Sequence, residues 1–398
     1  MTEWIECTLD KLGEIVGGAT PSTKCEDYYG GSIPWITPKD LSSFKGRYIT
    51  SGERNITEKG LASCSAQMMP KDAVLFTSRA PIGYIAIASQ SVCTNQGFKS
   101  IVVNKKADPL FVYYLLKYNK DAIEAMGSGT TFKEVSGKTM RAVKVRIPLD
   151  VSYQKRIAAV LDSLDTKIEN NERINDNLMQ QAVTIFKSWF VEYSPFNGIE
   201  PKEWETVNLE KITSLISRGI APKYSDNSDQ IVINQKCIRN HMIDLSQART
   251  HTPKVINEKW LRFGDLLINS TGDGTLGRAA QVWFQPQNIT VDSHVTVVRP
   301  AKENLIFYIG LWGVLHEREI ESLHTGSTGQ TELPKERVKA LELHLPDNGT
   351  LDRFNTLIAP MAAAIVSIQN ENNKLAILRD ALLPKLMSGE IDVSAVQL

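Results

Sequence analysis

The second half of this chain repeats the first half, element by element. Each copy opens on a Glu-Trp pair, Glu3-Trp4 in one and Glu203-Trp204 in the other. Further along, an apolar run beside an aspartate is followed by a glycine, Gly83 or Gly277, and later by an alternating apolar strand that ends in proline. Solenoid repeats have much shorter periods, of about 20–50 residues. The sequence therefore predicts a duplicated domain, which suits a target that is itself in two parts.

The length and charge of the chain limit its class. With 398 residues it can form two domains that each enclose a core. Its 45 Lys and Arg residues balance 45 Asp and Glu residues, so the formal net charge is zero. This balance argues against a wholly electrostatic, histone-like binder of nucleic acid. Local basic patches can still bind DNA, especially where a partner subunit supplies more charge.

The cysteines and the apolar pattern indicate a cytoplasmic protein. The five cysteines are odd in number and widely spaced, with no Cys-x-x-Cys pair, which favours reduced thiols. The segment Met1–Glu6 has neither the basic region nor the apolar run of a signal peptide. No stretch approaches the ~18–20 apolar residues that a membrane span needs, so no membrane association is predicted.

Each copy has the pattern of an α/β domain with short strands. Short segments rich in residues that favour strands, bounded by Gly, Pro or Ser, predict strands at 74–76, 84–88 and 100–103. Helical spacing then runs from Pro109 to about Met126, and a polar loop over 127–133 precedes an alternating strand at 143–148. The second copy repeats this order, with its helix over 305–323.

Each copy also ends in a very long helix, predicted over about 152–190 and 351–387. Apolar residues recur along both helices at steps of three and four, the heptad pattern of a coiled coil. One constant offset of 197 residues, which separates Ile168 from Ile365, aligns the two seams. Helices that share a seam are expected to pack on each other, and an antiparallel pair would place one domain near each end.

Polar residues interrupt both seams. Asn175 and Asn372 occupy equivalent positions, where a polar residue can fix the register of a coiled coil. The alternative is that both side chains are exposed because the seam frays in the middle. At the start of the first helix, Ser152 is the expected N-cap residue.

Several catalytic motifs match only in part. Gly272–Gly277 fits G-x-G-x-x-G, but residues 278–284 have the pattern of a strand where a dinucleotide fold needs a helix. The triplet Gly137-Lys138-Thr139 lacks the first glycine of a phosphate-binding loop, because Phe132 stands there. Of the six histidines, His316 and His324 could share a helix face, but no cysteine or carboxylate completes a ligand set with them. A binding module without metal or cofactor is therefore favoured over an enzyme.

Two loops in each copy, with one supporting segment, have the composition of a surface that binds DNA. Arg and Lys can hydrogen-bond guanine, Asn and Gln can pair with adenine, and small polar residues let the backbone approach phosphates. The candidates in the first copy are Ser78, Arg79, Asn95, Gln96, Lys99, Thr130, Thr131 and Lys133. Those in the second are Asn269, Ser270, Thr271, Arg278, His294, Ser327, Thr328 and Gln330. The alternative is that these are ordinary solvated turns.

The order of these features, present twice, resembles the DNA-specificity subunit of Type I restriction–modification enzymes along the whole chain. The resemblance rests most on Gln154–Ile157, Trp189-Phe190 and Leu382–Glu390. It implies an α/β (α+β) fold class, in which two similar target-recognition domains are joined by two long antiparallel coiled-coil helices with pseudo-two-fold symmetry. The implied boundaries are 1–150 for the first domain, 151–192 for the central spacer helix, 193–348 for the second domain with a linker at 193–202, and 349–398 for the C-terminal spacer helix.

The resemblance also implies a function. Each domain would recognise one half of a split, asymmetric site in double-stranded DNA, and the long helices would dock two methyltransferase (modification) subunits that methylate adenine. Restriction subunits would add ATP-driven translocation and cleavage, while this chain would choose the sequence without a cofactor and catalyse nothing. One alternative is the specificity subunit of an assembly in which a single partner both cuts and methylates. Others are a protein–protein scaffold without a DNA role and a nicotinamide-dependent enzyme built on the Gly272 turn.

Overall fold

The computed structural model describes residues 3–42, 44–79, 81–129, 133–254, 256–326 and 331–397. The chain forms two compact units. The first comprises Met1–Asn170 with Asn372–Leu398, and the second comprises Asn171–Glu371. Each unit therefore contains a globular part of strands and short helices together with one half of each long helix. The division falls inside the long helices, whereas the boundaries predicted from the sequence separate the globular domains from the helices.

Among its described residues, the first unit contains ten strands. They are β1 Trp4–Thr8, β2 Gly13–Gly17, β3 Tyr29–Ile36, β4 Tyr48–Ile49, β5 Arg54–Ile56, β6 Val74–Ser78, β7 Ile82–Ala88, β8 Cys93–Thr94, β9 Lys99–Val103 and β10 Lys144–Pro148. The helices that begin in this unit are α1 Pro38–Ser42, α2 Glu58–Ala62, α3 Pro109–Tyr118, α4 Lys120–Ala125, α5 Gly137–Ala142 and the long α6 Val151–Phe190.

The main sheet of the first unit has five strands in the order β2-β9-β6-β7-β4. Every residue of β6 is buried, because β6 lies at the centre of this sheet. A second sheet has the order β5-β3-β8, and β1 pairs with β10. The predicted strands at 74–76, 84–88 and 100–103 are therefore confirmed.

In the part of the chain that the structure describes, the second unit contains eleven strands. They are β11 Glu205–Asn208, β12 Thr213–Arg218, β13 Ile231–Ile233, β14 Ile238–Arg239, β15 Met242–Ile243, β16 Arg249–Thr250, β17 Leu266–Asn269, β18 Ala279–Gln281, β19 Ile289–Val291, β20 Val295–Pro300 and β21 Glu342–Leu345. Its helices are α7 Ile306–Leu315, α8 Glu317–Ser322, α9 Lys335–Lys339 and the long α10 Asn348–Ser388, which continues into the first unit.

The two units share one plan. In the second unit the main sheet has the order β12-β20-β17-β18, a three-stranded sheet has the order β16-β13-β19, and β11 pairs with β21. These correspond to β2-β9-β6-β7, β5-β3-β8 and β1-β10 of the first unit. The internal repeat predicted from the sequence is thus a repeat of structure, and the α/β fold class is confirmed.

One predicted helix in each copy is in fact two. Helices α3 and α4 are separated by Asn119, and α7 and α8 are separated by His316. The side-chain amide of Asn119 donates to the Leu115 carbonyl at 2.7 Å, and Nδ1 of His316 lies 2.7 Å from the Trp312 carbonyl. A side chain that bonds the backbone four residues earlier competes with the helical pattern. The predictions of single helices over 109–126 and 305–323 were therefore wrong at these positions.

An equivalent aspartate, Asp150 or Asp347, directly precedes each long helix. Helix α6 has 40 residues and α10 has 41. Asp150 accepts the N–H of Ser152 at 2.8 Å, and Asp347 accepts the N–H of Thr350 at 3.0 Å. Asp150, rather than the predicted Ser152, therefore caps α6, because Ser152 already lies inside the helix. At the other end of α10, Gly389 adopts a φ of +80°, which agrees with the predicted stop.

The halves of the long helices pair antiparallel within each unit. In the first unit, Tyr153 bonds Asp392, just beyond the end of α10, and Asp165 bonds Arg379 within α10, so contacts move backwards along the C-terminal segment as they move forwards along α6. In the second unit, Asn171 bonds Glu371, and the rings of Phe186 and Phe190 pack on Phe354. These aromatic rings belong to the main core of that unit.

The polar residues of the seam are not simply exposed. Asn175 is 3% exposed, and its Oδ1 has no hydrogen-bond partner among the described residues. Asn372 is half-buried. The interpretation of a frayed, solvated seam is therefore wrong for Asn175. Its role in fixing the register stays a prediction.

Helix α10 is long and apolar enough, by length and composition alone, to span a membrane, with an 18-residue window of mean hydropathy 1.3. This differs from the expectation of no such stretch, because alanines contribute to the window without a continuous run of large apolar side chains. Within the second unit, however, Leu351, Phe354, Ile358 and Ile365 of this helix lie in the core. That apolar face therefore packs on protein.

Candidate nucleic-acid interface

Ser78, at the end of β6, is a buried anchor for the loops of the first unit. Its side chain has no exposed surface, and both its N–H and its hydroxyl donate to the carbonyl of Gly97, at 2.7 and 3.1 Å. Its own carbonyl accepts the N–H of Val135 at 2.9 Å. Ser78 was predicted to contact DNA, but its hydroxyl is already bonded in the interior. It joins two loop segments instead.

Arg79 and Lys99 converge on one carboxylate, that of Glu134. Nη1 of Arg79 lies 3.5 Å from Oε2, and Nζ of Lys99 lies 3.6 Å from Oε1. The backbone of Glu134 pairs with Ser128 in both directions, which closes the loop between them. Two cations share one anion, so the base of this loop keeps a net positive charge. Such a group can hydrogen-bond phosphate or guanine.

The remaining candidates of the first unit differ in exposure. Asn95 is half-buried, and its Oδ1 accepts the N–H of Gly97 at 2.9 Å, so it stabilises the turn. Gln96 is exposed and is bonded by the hydroxyl of Thr20. Lys133 is exposed. Thr130 and Thr131 lie outside the described residues.

In the second unit, the end of β17 is as deeply buried as the end of β6. Asn269 and Ser270 have no exposed surface. The amide of Asn269 donates to the carbonyl of Gln235 at 3.2 Å, and the hydroxyl of Ser270 lies 2.5 Å from that of Thr296. Both were predicted to contact DNA. Their place at the end of a central strand makes them supports for the loops above them.

Thr271 and His294 form the accessible part of the second site. The hydroxyl of Thr271 lies 2.9 Å from Nδ1 of His294. The side-chain amide of Gln235 donates to the same Thr271 hydroxyl at 2.8 Å. His294 is exposed, and its N–H donates to the carboxylate of Asp292 at 2.9 Å. Burial raises the pKa of Asp292, while this N–H and the His294 ring act in the opposite direction.

Arg278 braces the glycine turn of the second unit. Its Nη2 donates to the carbonyl of Gly274 at 2.7 Å. Gly272 and Gly277 have φ of +94° and +86°, so this is a tight turn that requires glycine. Strand β18 follows the turn where a dinucleotide fold has a helix. Ser327, Thr328 and Gln330 lie outside the described residues.

Neither Glu134 nor its counterpart in the second unit, Glu332, was predicted from the sequence. Nη1 of Arg218 lies 2.6 Å from Oε1 of Glu332, and its Nη2 donates to the carbonyl of Leu333 at 2.8 Å. The N–H of Leu333 in turn donates to the carbonyl of Ser270 at 2.8 Å, as Val135 does to Ser78. Glu134 and Glu332 therefore hold equivalent positions. Alignment of the two polar loops would have revealed them, since each is followed by a glutamate and an apolar residue.

Equivalent positions on this common frame have different side chains. The residue after the buried serine is Arg79 in the first unit and Thr271 in the second, and both bridge to the equivalent glutamate backbone. Among the described residues, no group of three or more His, Cys, Asp or Glu side chains could hold a metal ion. The two units therefore have similar loop frames that carry different side chains.

Comparison with known proteins defines the family. The family model described as "Type I restriction modification DNA specificity domain" matches residues 1–180 and again 201–370. The chain is 34% identical over 417 aligned residues to the Type I restriction enzyme MjaIX specificity subunit of Methanocaldococcus jannaschii, covering 98% of this chain and 94% of that protein. The chain belongs to the Type I restriction–modification DNA-specificity family. It is a non-catalytic specificity subunit.

Two further similarities agree with this assignment. The chain is 29% identical over 167 residues to the EcoR124I/EcoR124II specificity subunit of Escherichia coli, covering 40% of each protein. The crystal structure of the Type I S subunit from M. genitalium matches with a TM-score of 0.59 over 97% of this chain and 96% of that one. At 14% sequence identity, this match concerns the fold alone. The resemblance noted in the sequence is thus confirmed.

Proposed function

We propose that each unit recognises one half of a bipartite, asymmetric site in double-stranded DNA. The observation that supports this most is that the two units hold their candidate loops by the same backbone contacts but carry different side chains on them. Ser78 and Ser270 anchor equivalent loops, yet Arg79 occupies one surface and Thr271 the other. An arginine can bond guanine through two hydrogen bonds, which a threonine cannot do. The two half-sites should therefore differ in sequence.

The residues proposed to contact DNA are the accessible ones. In the first unit they are Arg79, Gln96, Lys99 and Lys133, and in the second they are Thr271, Arg278 and His294. Asn95 supports the first set through its turn. Thr130, Thr131, Ser327, Thr328 and Gln330 remain candidates on the strength of the sequence.

The long helices are proposed to set the distance between the half-sites and to dock two methyltransferase subunits, with restriction subunits joining the assembly. Several large apolar side chains on these helices are exposed, which supports a docking role. In the first unit these are Ile377 and Leu378, at 71% and 47% exposure, and in the second they include Ile174 and Leu357, at 46% and 43%. The proposed target DNA and the proposed partner subunits are in the cytoplasm. The protein is therefore proposed to act in the cytoplasm.

The test is a genome-wide map of methylated adenine in the source cell and in a strain that lacks this gene. Loss of one split, asymmetric motif on deletion is the expected result, and it would give the recognised sequence directly. A symmetric motif would contradict the assignment of different half-sites to the two units. An unchanged map, with methyltransferase subunits expressed and bound to the chain, would contradict the role in sequence choice.

A further inference from the structure

Each unit presents an arginine stacked on a tyrosine, away from the loops described above. In the first unit, the guanidinium carbon of Arg54 lies 5.4 Å from the centre of the Tyr29 ring. In the second, that of Arg249 lies 3.6 Å from the centre of the Tyr224 ring. Both arginines are exposed and stand at the first position of the outer strand of the three-stranded sheet, β5 or β16.

The two stacks are copies of one element. An offset of 195 residues relates Tyr29 to Tyr224 and Arg54 to Arg249. The same offset relates the backbone bonds that hold them, because Thr57 N–H donates to the Tyr28 carbonyl at 3.0 Å and Thr252 N–H to the Lys223 carbonyl at 2.8 Å. The pair has therefore been kept in both copies, whereas Arg79 and Thr271 have diverged.

The stacked arginines differ from Arg79 and Arg218, beside the candidate loops, in the groups that they contact. Arg79 and Arg218 each form an ion pair with a glutamate. Within the described part of the chain, neither Arg54 nor Arg249 forms an ion pair with a carboxylate. A guanidinium held on an aromatic face keeps its N–H donors available in the plane of the group. Such a group is suited to an anionic ligand.

A short path of contacts links each stack to the proposed DNA surface of its unit. In the first unit, the hydroxyl of Tyr29 donates to the carbonyl of Pro21 at 2.8 Å, and the neighbouring Thr20 bonds Gln96. In the second unit, Ile220 lies four residues before Tyr224 and bridges to Asp292, whose carboxylate accepts the backbone N–H of His294 at 2.9 Å. Each stack is therefore connected to the candidate loops of its unit.

We infer that Arg54 and Arg249 bind backbone phosphates of the DNA, one in each half-site, and make no base contact. This inference rests on the proposed function. The two half-sites differ in bases but share the same phosphate backbone, so a contact kept in both copies should be one that bears no sequence information. The base-reading residues are those that differ between the copies.

The experiment uses the full chain, assembled with its methyltransferase subunits, and two duplexes. One contains the site defined by the methylation map, and the other has both half-sites scrambled. The variants are Arg54→Ala, Arg249→Ala and the charge-keeping Arg54→Lys. The matched controls are Lys105→Ala and Lys302→Ala, which each remove one exposed positive charge. Strands β9 and β20 begin beside the candidate loops, and Lys105 and Lys302 lie just beyond their opposite ends. Thermal unfolding of each variant verifies the fold.

Each alanine variant should weaken binding to both duplexes by a similar factor, roughly three- to fivefold at physiological salt, and should lower the salt slope of log K by about one unit. Arg54→Lys should keep most of that slope, and the controls should match the wild type. A loss confined to the cognate duplex would indicate base contact and overturn the inference. Unchanged DNA binding would also overturn the inference, whether or not the variant loses its bound methyltransferase subunits. If the wild type itself fails to discriminate the duplexes, the proposed function fails instead.

Discussion

Asp165 on α6 and Arg379 on α10 form an ion pair in the first unit, with Nη1 of Arg379 donating to Oδ1 of Asp165 at 2.7 Å. The second oxygen of Asp165 accepts the hydroxyl of Tyr114, on α3, at 2.8 Å. Asp165 is 6% exposed. One buried carboxylate therefore joins both long helices to the globular part of this unit, and it should matter strongly for stability.

Replacement of Asp165 by alanine should destabilise the protein by about 2–4 kcal/mol, because it leaves a buried hydroxyl and a mostly buried guanidinium without their acceptor. Urea unfolding followed by circular dichroism measures the change. Asp380→Ala is the control, since Asp380 also contacts Arg379 but its side chain is 63% exposed. The control should cost less than about 0.5 kcal/mol. Equal effects of the two variants would contradict a special role of Asp165.

The cap of α10 should make stability depend on pH. Hydrogen bonds from Thr350 hold the pKa of Asp347 below its usual value of 3.8. An acid with a lowered pKa in the folded state contributes stability above its unfolded pKa, and this contribution is lost as the pH falls through the folded pKa. Asp347→Asn keeps the capping oxygen but removes the charge. The variant should be less stable at pH 7 by about 0.3–1 kcal/mol, and this difference should shrink as the pH falls through the folded pKa of Asp347.

The measurement for this prediction is the free energy of unfolding of both proteins between pH 7 and pH 2. Asp273→Asn, at an exposed turn, serves as the control and should show no such convergence. A constant difference between wild type and Asp347→Asn across this range would show that the charge of Asp347 does not contribute.

Arg79→Ala should weaken recognition of one half-site only. Arg79 is exposed enough to reach DNA from the Glu134 cluster, and the equivalent position in the second unit is Thr271. The loss of one good base contact should cost about 1–3 kcal/mol. Binding to duplexes with a single base pair changed in either half measures the effect. Thr271→Val is the reciprocal variant, and equal losses at both halves would refute independent recognition by the two units.

Asn175→Leu should stabilise the paired helices of the second unit by about 1–2 kcal/mol, because the buried Oδ1 of Asn175 has no partner among the described residues. The same variant should allow the helices to shift in register, if Asn175 fixes it. Chemical denaturation tests stability, and crosslinking of paired cysteines tests register. Ile174→Gln, at an exposed neighbouring position, is the control. A loss of stability in Asn175→Leu would mean that Asn175 has a partner in solution.

The sequence predicted the repeated scaffold well and the binding surface less well, for physical reasons. Strands such as β6 and β9 are short runs of β-branched and other residues that favour strands, and the long helices repeat their apolar spacing over 40 residues, so local pattern alone identifies them. The breaks at Asn119 and His316 depend on single side chains that bond the backbone. No periodicity reveals such a choice.

The errors at the candidate site have a different cause. Ser78, Asn269 and Ser270 have residue types typical of exposed turns, yet each is buried because a loop from a distant part of the chain closes over the strand end. The ion pair of Arg218 with Glu332 likewise joins residues more than a hundred positions apart. Composition can identify a polar loop. Only the tertiary arrangement distinguishes its supports from its accessible surface.

Insertion of one heptad into both long helices should change the spacing between the recognised half-sites and leave their sequences unchanged. In the second unit Asn171 faces Glu371, so the antiparallel register places residue 367 opposite Asn175. Matched heptads after Asn175 and after Val366 therefore keep the apolar seam in phase. Seven residues add roughly 10 Å of helix, the rise of about three base pairs. Methylation maps of cells that express the variant measure the spacing, and an insertion in α6 alone is the control that should disrupt the pairing. New half-sites at the original spacing would refute the role of the helices as the spacer.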